Sequence, residues 1–336
     1  AVYDFPGRKH FNWALMLPLA MPAYVMAFTQ VGLFDFSGPV QTLLRAHFDN
    51  TRWFPPIRST GGLVLVMSLA LLLTAGMLRS HQLMVQSSAR QIHQVQLRQW
   101  ALSAEAWALE ILQATADDEN SRVHQGQAWA RATWPFERQG ARITLEIEDL
   151  SARFNVNALL GEGQVDRLIE QRWLRLLAAL GLPPLDLRAA GPVAEQRELS
   201  QLRLLPGIDG ATLRQLEPWV ALLPKDASLN INTALPQVLA TLEGMSPPTA
   251  EALVNQRPTT GYGSVQAFIH DPLIAGLGVT GHGLGISSRW FRINDDVRLG
   301  TSRLRLASEV ERERKTGRWR VVQRRFPTPT LSENAL

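Results

Sequence analysis

Residues 63–78 read LVLVMSLALLLTAGML, and residues 79–115 continue as RSHQLMVQSSARQIHQVQLRQWALSAEAWALEILQAT, without a glycine or proline. The first stretch is uncharged. The second is rich in Gln, Ala, Leu and Arg, all good helix formers. Leu83, Ile92, Val95, Trp100, Leu102, Leu109 and Leu112 recur at mostly helical spacings. Together they predict one continuous helix of about 50 residues, roughly 75 Å at 1.5 Å per residue. Its apolar start, residues 61–79, is the expected membrane anchor, near the short limit of about 17 residues for a span. Its polar remainder is expected to pack on a soluble domain.

Downstream, residues 141–147 (ARITLEI) alternate polar and apolar side chains, which predicts a strand. Residues 165–180 read as a helix and residues 182–192 as a loop. Short helices broken by Gly and Pro fill residues 195–223 and 236–267. A glycine-rich loop covers residues 276–285. Residues 289–298, 303–313 and 318–326 read as strands, with Lys315-Thr316-Gly317 turning between the last two. The order predicts an α+β fold: a long N-terminal helix on an antiparallel sheet, with an inserted all-α domain. The helix and first strands occupy residues 80–157, the insert 158–272, the loop and last strands 273–326, and a polar tail 327–336. Upstream, residues 1–60 hold a second apolar segment, residues 11–33. Arg8, Lys9 and His10 precede it, and Pro18 and Pro22 lie within it, which membrane helices tolerate.

Hydrophobic residues make up 46% and charged residues 19% of the 336, so the chain is neither disordered nor uniformly embedded in a membrane. The net charge is only +4, with no basic tract for nucleic acid. There is no cysteine, which excludes disulfides, thiolate zinc sites and cysteine nucleophiles together.

Two segments resemble helix-hairpin-helix units: LRLLPGIDGATLRQL (202–216) and NTALPQVLATLEGMSPPTAEALVNQR (232–257). Such hairpins can present backbone N–H groups to a phosphate. Here the second glycine of each core triplet is missing, at Asp209 and Ser246. Asp209, Glu243 and Glu251 place negative charge where a phosphate would approach. A membrane-anchored DNA-binding protein is the alternative function, and the packing-scaffold role is favoured. Gly276 to Gly281 satisfies GxGxxG but neither follows a strand nor opens a helix, as a dinucleotide site requires. The seven histidines show no close metal spacing, Ser87-Ser88 and Ser287-Ser288 lack a nucleophile elbow, and Glu146, Glu148 and Asp149 are close in sequence, but adjacent strand residues alternate faces. No catalytic constellation emerges, and the chain is predicted not to be an enzyme.

QSSARQIHQ (86–94), WALSAEAWALEIL (100–112), EDLSARFNVNAL (148–159), ELSQLRLLPGI (198–208) and LPKDASLNINTALPQVLATL (223–242) follow the apolar run in this order. Over roughly residues 74–325 the chain resembles the K-type minor pseudopilin of the type II secretion system. The resemblance implies a pilin-like fold with a large helical insertion and an inner-membrane anchor with the soluble part in the periplasm. It implies a place at the pseudopilus tip, with I-type and J-type minor pseudopilins, the major pseudopilin and the inner-membrane assembly platform as partners. There the subunit would help initiate pseudopilus assembly and protein export. It also implies a processed N-terminus, for which Gly62 before Leu63 is the nearest prepilin-peptidase candidate. The family's insert carries an acidic calcium loop, whereas residues 182–199 (LPPLDLRAAGPVAEQREL) supply only Asp186, Glu195 and Glu198. Calcium needs six to eight oxygens, so no cofactor is expected. Residues 3–69 instead resemble part of an iron(III) ABC importer permease, as a fusion or misjoined segment would.

Overall fold

The computed structural model describes residues 23–48, 56, 59–118, 122–131, 136–138, 140–160, 165–189, 191 and 193–327. The chain divides into two compact units, Ala1–Gln91 and Ile92–Leu336. In the first, helix α1 (Ala23–Phe34) leads to helix α2 (Pro39–His47). The turn between them is held by Arg45, whose Nη2 donates to Phe36 O at 2.7 Å while its guanidinium lies 4.2 Å from the Phe36 ring centroid. Of the apolar segment at 11–33, residues 11–22 lie outside the described residues, and only the remainder is seen as α1.

Helix α3 (Thr60–Asp118) is the long helix read from the sequence, and the unit boundary falls inside it. Among the described residues, no helix is long and apolar enough to cross a membrane. The uncharged run within α3 ends at Arg79, so the anchor expected at 61–79 is not established by the fold.

In the second unit, Leu97, Ala101, Ala104, Ala108 and Leu112 recur every three or four residues along α3 and are all buried. Three alanines in that stripe let the helix approach the sheet closely. Strands β1 (Phe136–Arg138) and β2 (Ala141–Asp149) form the first hairpin. Between β2 and the rest of the sheet lies the insertion. It holds β3 (Phe154–Asn155), α4 (Arg167–Ala179), α5 (Gly210–Leu216), β4 (Val220–Ala221), β5 (Leu229–Asn230), α6 (Pro236–Leu239), α7 (Pro247–Gln256), α8 (Val265–Ile269) and β6 (Leu284–Gly285). Strands β7 (Trp290–Leu299), β8 (Ser302–Arg312) and β9 (Trp319–Arg325) complete an antiparallel sheet of order β1-β2-β7-β8-β9. Ile143, Leu145 and Ile147 of β2, Phe291, Ile293 and Val297 of β7, and Leu306 and Val310 of β8 pack with the α3 stripe.

The insertion therefore spans residues 150–289, wider than the 158–272 read from helix signals. The extra length comes from two parallel strand pairs, β3 with β4 and β5 with β6, each only two residues long. Pieces that short carry no alternation to read. Among the described residues, the insertion has two large cores. One gathers Phe154, Trp173, Leu176, Leu177, Leu202 and Leu216; the other gathers Leu239, Leu253, Tyr262, Phe268 and Ile274.

Two carboxylates interrupt the helix–sheet interface. Glu105 of α3 is 3% exposed. It accepts from Arg324 Nε and Nη2 at 2.8 and 2.7 Å and from Ser308 Oγ at 2.5 Å. Burial opposes its charge, but the Arg324 and Ser308 bonds outweigh burial and hold its carboxyl below the usual range. Asp295 of β7 lies between Leu145 and Leu306 of the neighbouring strands, is 2% exposed, and has no hydrogen-bond partner on either oxygen. Burial, then the nearby Glu105 charge, push its carboxyl up to about 8.

These two sites respond oppositely to substitution. Arg324→Ala strands a buried carboxylate and is expected to cost about 3 kcal/mol, against about 1 kcal/mol for Glu105→Gln, measured by urea unfolding. For Asp295 the folded form binds a proton that the unfolded chain has lost above pH ~4. Its contribution is fully present below that pH and is lost as pH rises through about 8. Asp295→Asn is thus expected to raise the unfolding midpoint at pH 8, with the gain shrinking towards zero near pH 4.

Candidate functional site

The chain leaves the sheet at Asp149 and returns to it at Trp290, and both ends of the excursion meet at one buried polar knot. Asp149 is the last residue of β2, 4% exposed, and caps the short turn that follows by accepting from Ser151 N at 2.8 Å. Its other oxygen accepts from Asn230 Nδ2 at 2.9 Å and Thr233 Oγ1 at 2.6 Å. Asn230 Nδ2 also donates to Val123 O, and Asn230 Oδ1 accepts from Asn232 N. Asn232 in turn pairs with both backbone groups of Tyr262, and Arg257 donates to the carbonyls of Asn232 and Ala234. Ser288 Oγ donates to Ser151 Oγ at 2.8 Å at the return point. Burial pushes the Asp149 carboxyl up against the pull of these bonds. The knot joins EDLS to NINTA, two of the segments singled out in the sequence.

The hairpins are closed to phosphate. Asp209 accepts from Ala211 N at 3.0 Å and Thr212 N at 2.7 Å, so the hairpin's own carboxylate occupies the N–H groups that an anion would need. These bonds hold its carboxyl below the usual range. Glu243, beside the second hairpin, takes Arg172 Nε and Nη2 at 2.8 and 3.0 Å. Ser246 caps α7 by accepting from Thr249 N. The GxGxxG run is a loop with Gly276 and Gly278 at positive φ, and it leads into β6 rather than a helix.

The other residues weighed in the sequence are scattered. His81 and His93 are exposed on α3, His282 pairs with Asp166, and His124 is buried and accepts from Gly126 N. Glu146 faces away from the core that Asp149 enters. Gly62 and Leu63 lie in the first turn of α3, where Gly62 N and Leu63 N donate to Ser59. Sequence reasoning missed the pairing of Asp149 with Asn230, because the two are far apart along the chain and neither carries a motif of its own.

A second surface lies on α3 within the first unit. Val64, Leu71, Leu78 and Val85 recur every seven residues and all are exposed, as are Leu63, Met77 and Met84 beside them. A seven-residue apolar repeat is what a helix shows when it packs against other helices.

The knot sets a clear expectation for stability. Asp149→Ala leaves the Asn230 amide and the Thr233 hydroxyl buried without their acceptor and is expected to cost about 3 kcal/mol. Glu146→Ala, on the same strand but facing out, is expected to change stability by less than about 0.5 kcal/mol. Urea denaturation of both variants measures the difference, and equal effects would contradict the assignment.

Known proteins share this architecture. A family model described as "Type II secretion system (T2SS), protein K" matches residues 229–287, which hold the Asn230–Thr233 side of the knot and the second insertion core. The chain is 32% identical over 300 residues to type II secretion system protein K of Pseudomonas aeruginosa, covering 78% of this chain and 90% of that protein. It is 28% identical over 307 residues to the protein of the same name from Klebsiella pneumoniae, covering 78% and 94%. Its fold matches a chain of the crystal structure of the GspK-GspI-GspJ complex from the enterotoxigenic Escherichia coli type 2 secretion system. That match has a TM-score of 0.61 and 24% identity, over 73% of this chain and 100% of that one. These matches lend no support to the permease resemblance of residues 3–69. A relative matched across nine-tenths of its length and a shared fold lead to one conclusion: the chain belongs to the type II secretion system protein K family.

Proposed function

We propose that this chain is a minor pseudopilin at the tip of the type II secretion pseudopilus. In this role it assembles with I-type and J-type minor pseudopilins to initiate the fibre and assist protein export. The observation that carries the tip position is the acid content of α3. From Thr60 the helix has no Asp or Glu until Glu105, and Glu105 is taken up inside the fold by Arg324 and Ser308. A subunit with no carboxylate in its apolar stretch cannot pair there with the N-terminal amine of a subunit ahead, so it suits the end of a fibre. The exposed repeat of Val64, Leu71, Leu78 and Val85 supports packing against partner helices. The likeness to a chain solved within a GspK-GspI-GspJ complex supports the choice of partners.

The apolar start of α3 is the part of the chain best suited to anchor it in the inner membrane, with the sheet and insertion in the periplasm. Thr60 to Leu78 would span about 28 Å as a helix, close to the ~30 Å hydrocarbon core. Cleavage between Gly62 and Leu63 would require the first turn of α3 to open before the peptidase acts. The major pseudopilin and the assembly platform complete the set of partners. A DNA-binding role is disfavoured by Asp209, which fills its own hairpin.

Co-expression with I-type and J-type pseudopilins, followed by affinity capture of this chain, tests the proposal. Both partners are expected in the captured complex. Recovery of the chain alone would sink it.

A further inference from the structure

The resemblance implies a calcium loop in the insertion, and residues 182–199 stand in its place. The donors there do not fit that ion. Asp186 Oδ1 accepts from Arg188 N at 2.9 Å, and Glu198 is engaged with Gln201 in a reciprocal cap. That leaves Glu195, in a stretch that also carries Arg188 and Arg197. Among the described residues, no three His, Asp or Glu side chains come together to hold a metal. Calcium asks for six to eight oxygens.

Other groups fasten the stretch. Trp173, 2% exposed, donates from Nε1 to Leu185 O at 3.0 Å. Leu185, Leu187 and Leu199 are buried in the first insertion core. Leu185 packs on Gly207, where a Cβ would lie 2.5 Å from Leu185 Cδ2 and where φ is +80°. The other end is held by Asn157, which is 2% exposed. Its Oδ1 accepts from Gln196 N at 2.8 Å, and its Nδ2 donates to Gln196 O at 2.8 Å and Leu223 O at 3.0 Å. One carboxamide thus satisfies both backbone groups of Gln196 and joins the loop to the segment entering β5. Every group in this fastening is neutral.

We infer that this chain fastens residues 182–199 with the Asn157 carboxamide and the Trp173 indole in place of a cation, so that calcium has no structural role in it. The test is thermal unfolding of the full chain in detergent, in excess CaCl2 and in EGTA, with limited proteolysis of the same samples. The two midpoints are expected to agree within about 1 °C, whereas a bound structural ion in large excess would raise the midpoint by several degrees. Asn157→Ala is expected to speed cleavage between residues 186 and 198 equally in both buffers. Should that variant not fold, Trp173→Phe removes the indole donor together with part of the buried ring, and is expected to speed cleavage near Asp186. A calcium-dependent rise in the wild-type midpoint, calcium rescue of either variant, or cleavage of a folded variant no faster than wild type would overturn the inference.

Discussion

Asp149 sits where the sheet is interrupted, and the two strands on either side of that interruption, β2 and β7, are neighbours paired from Ala141–Leu299 to Asp149–Phe291. Adjacent strands lie about 4.8 Å apart. The whole insertion must therefore begin and end within one strand spacing. A buried carboxylate accepting from a backbone amide, a carboxamide and a hydroxyl fixes that geometry, because each partner would be left unsatisfied by any other arrangement. The insertion can then carry two cores of its own without disturbing the sheet register.

The sheet makes a different use of charge. Glu105 and Arg324 join α3 to β9 at the sheet edge, and Ser308 of β8 adds a third strut. Asp295, one strand further in, stays neutral and unpaired near physiological pH. A charged acid and a neutral acid thus share one interface, and the neutral one weakens the fold as pH rises. The first carboxylate of α3, Glu105, serves the fold rather than an exposed helix face.

Much of this was legible in the residues. The α3 pattern and the alternation in ARITLEI, in residues 289–298 and in residues 303–313 belong to long elements with one buried side, where periodicity is a direct consequence of burial. In the first helix-hairpin-helix segment, Asp209 stands where the second glycine would be, and its carboxylate takes the nearby backbone N–H groups. What escaped was short or distant. Strand β1 and the parallel pairs are too brief to alternate. The reach of Asp149 to Asn230, of Asn157 to Gln196 and of Glu105 to Arg324 depends on tertiary placement that no local pattern encodes. For the anchor, the apolar run from Leu63 to Leu78 is sixteen residues, near the lower limit of a span, so length alone did not decide.

The central claim is that the apolar side of α3 packs on partner helices at the fibre tip. The chain contains no cysteine, so single cysteines can be scanned along α3 and cross-linked in membranes to cysteines in the helices of I-type and J-type partners. The account predicts cross-links that peak at Leu71, Leu78 and Val85 and at Met77 and Met84 beside them, with weak signal at positions on the opposite side of the helix. Uniform labelling along the helix, or no cross-link at any position, would contradict it.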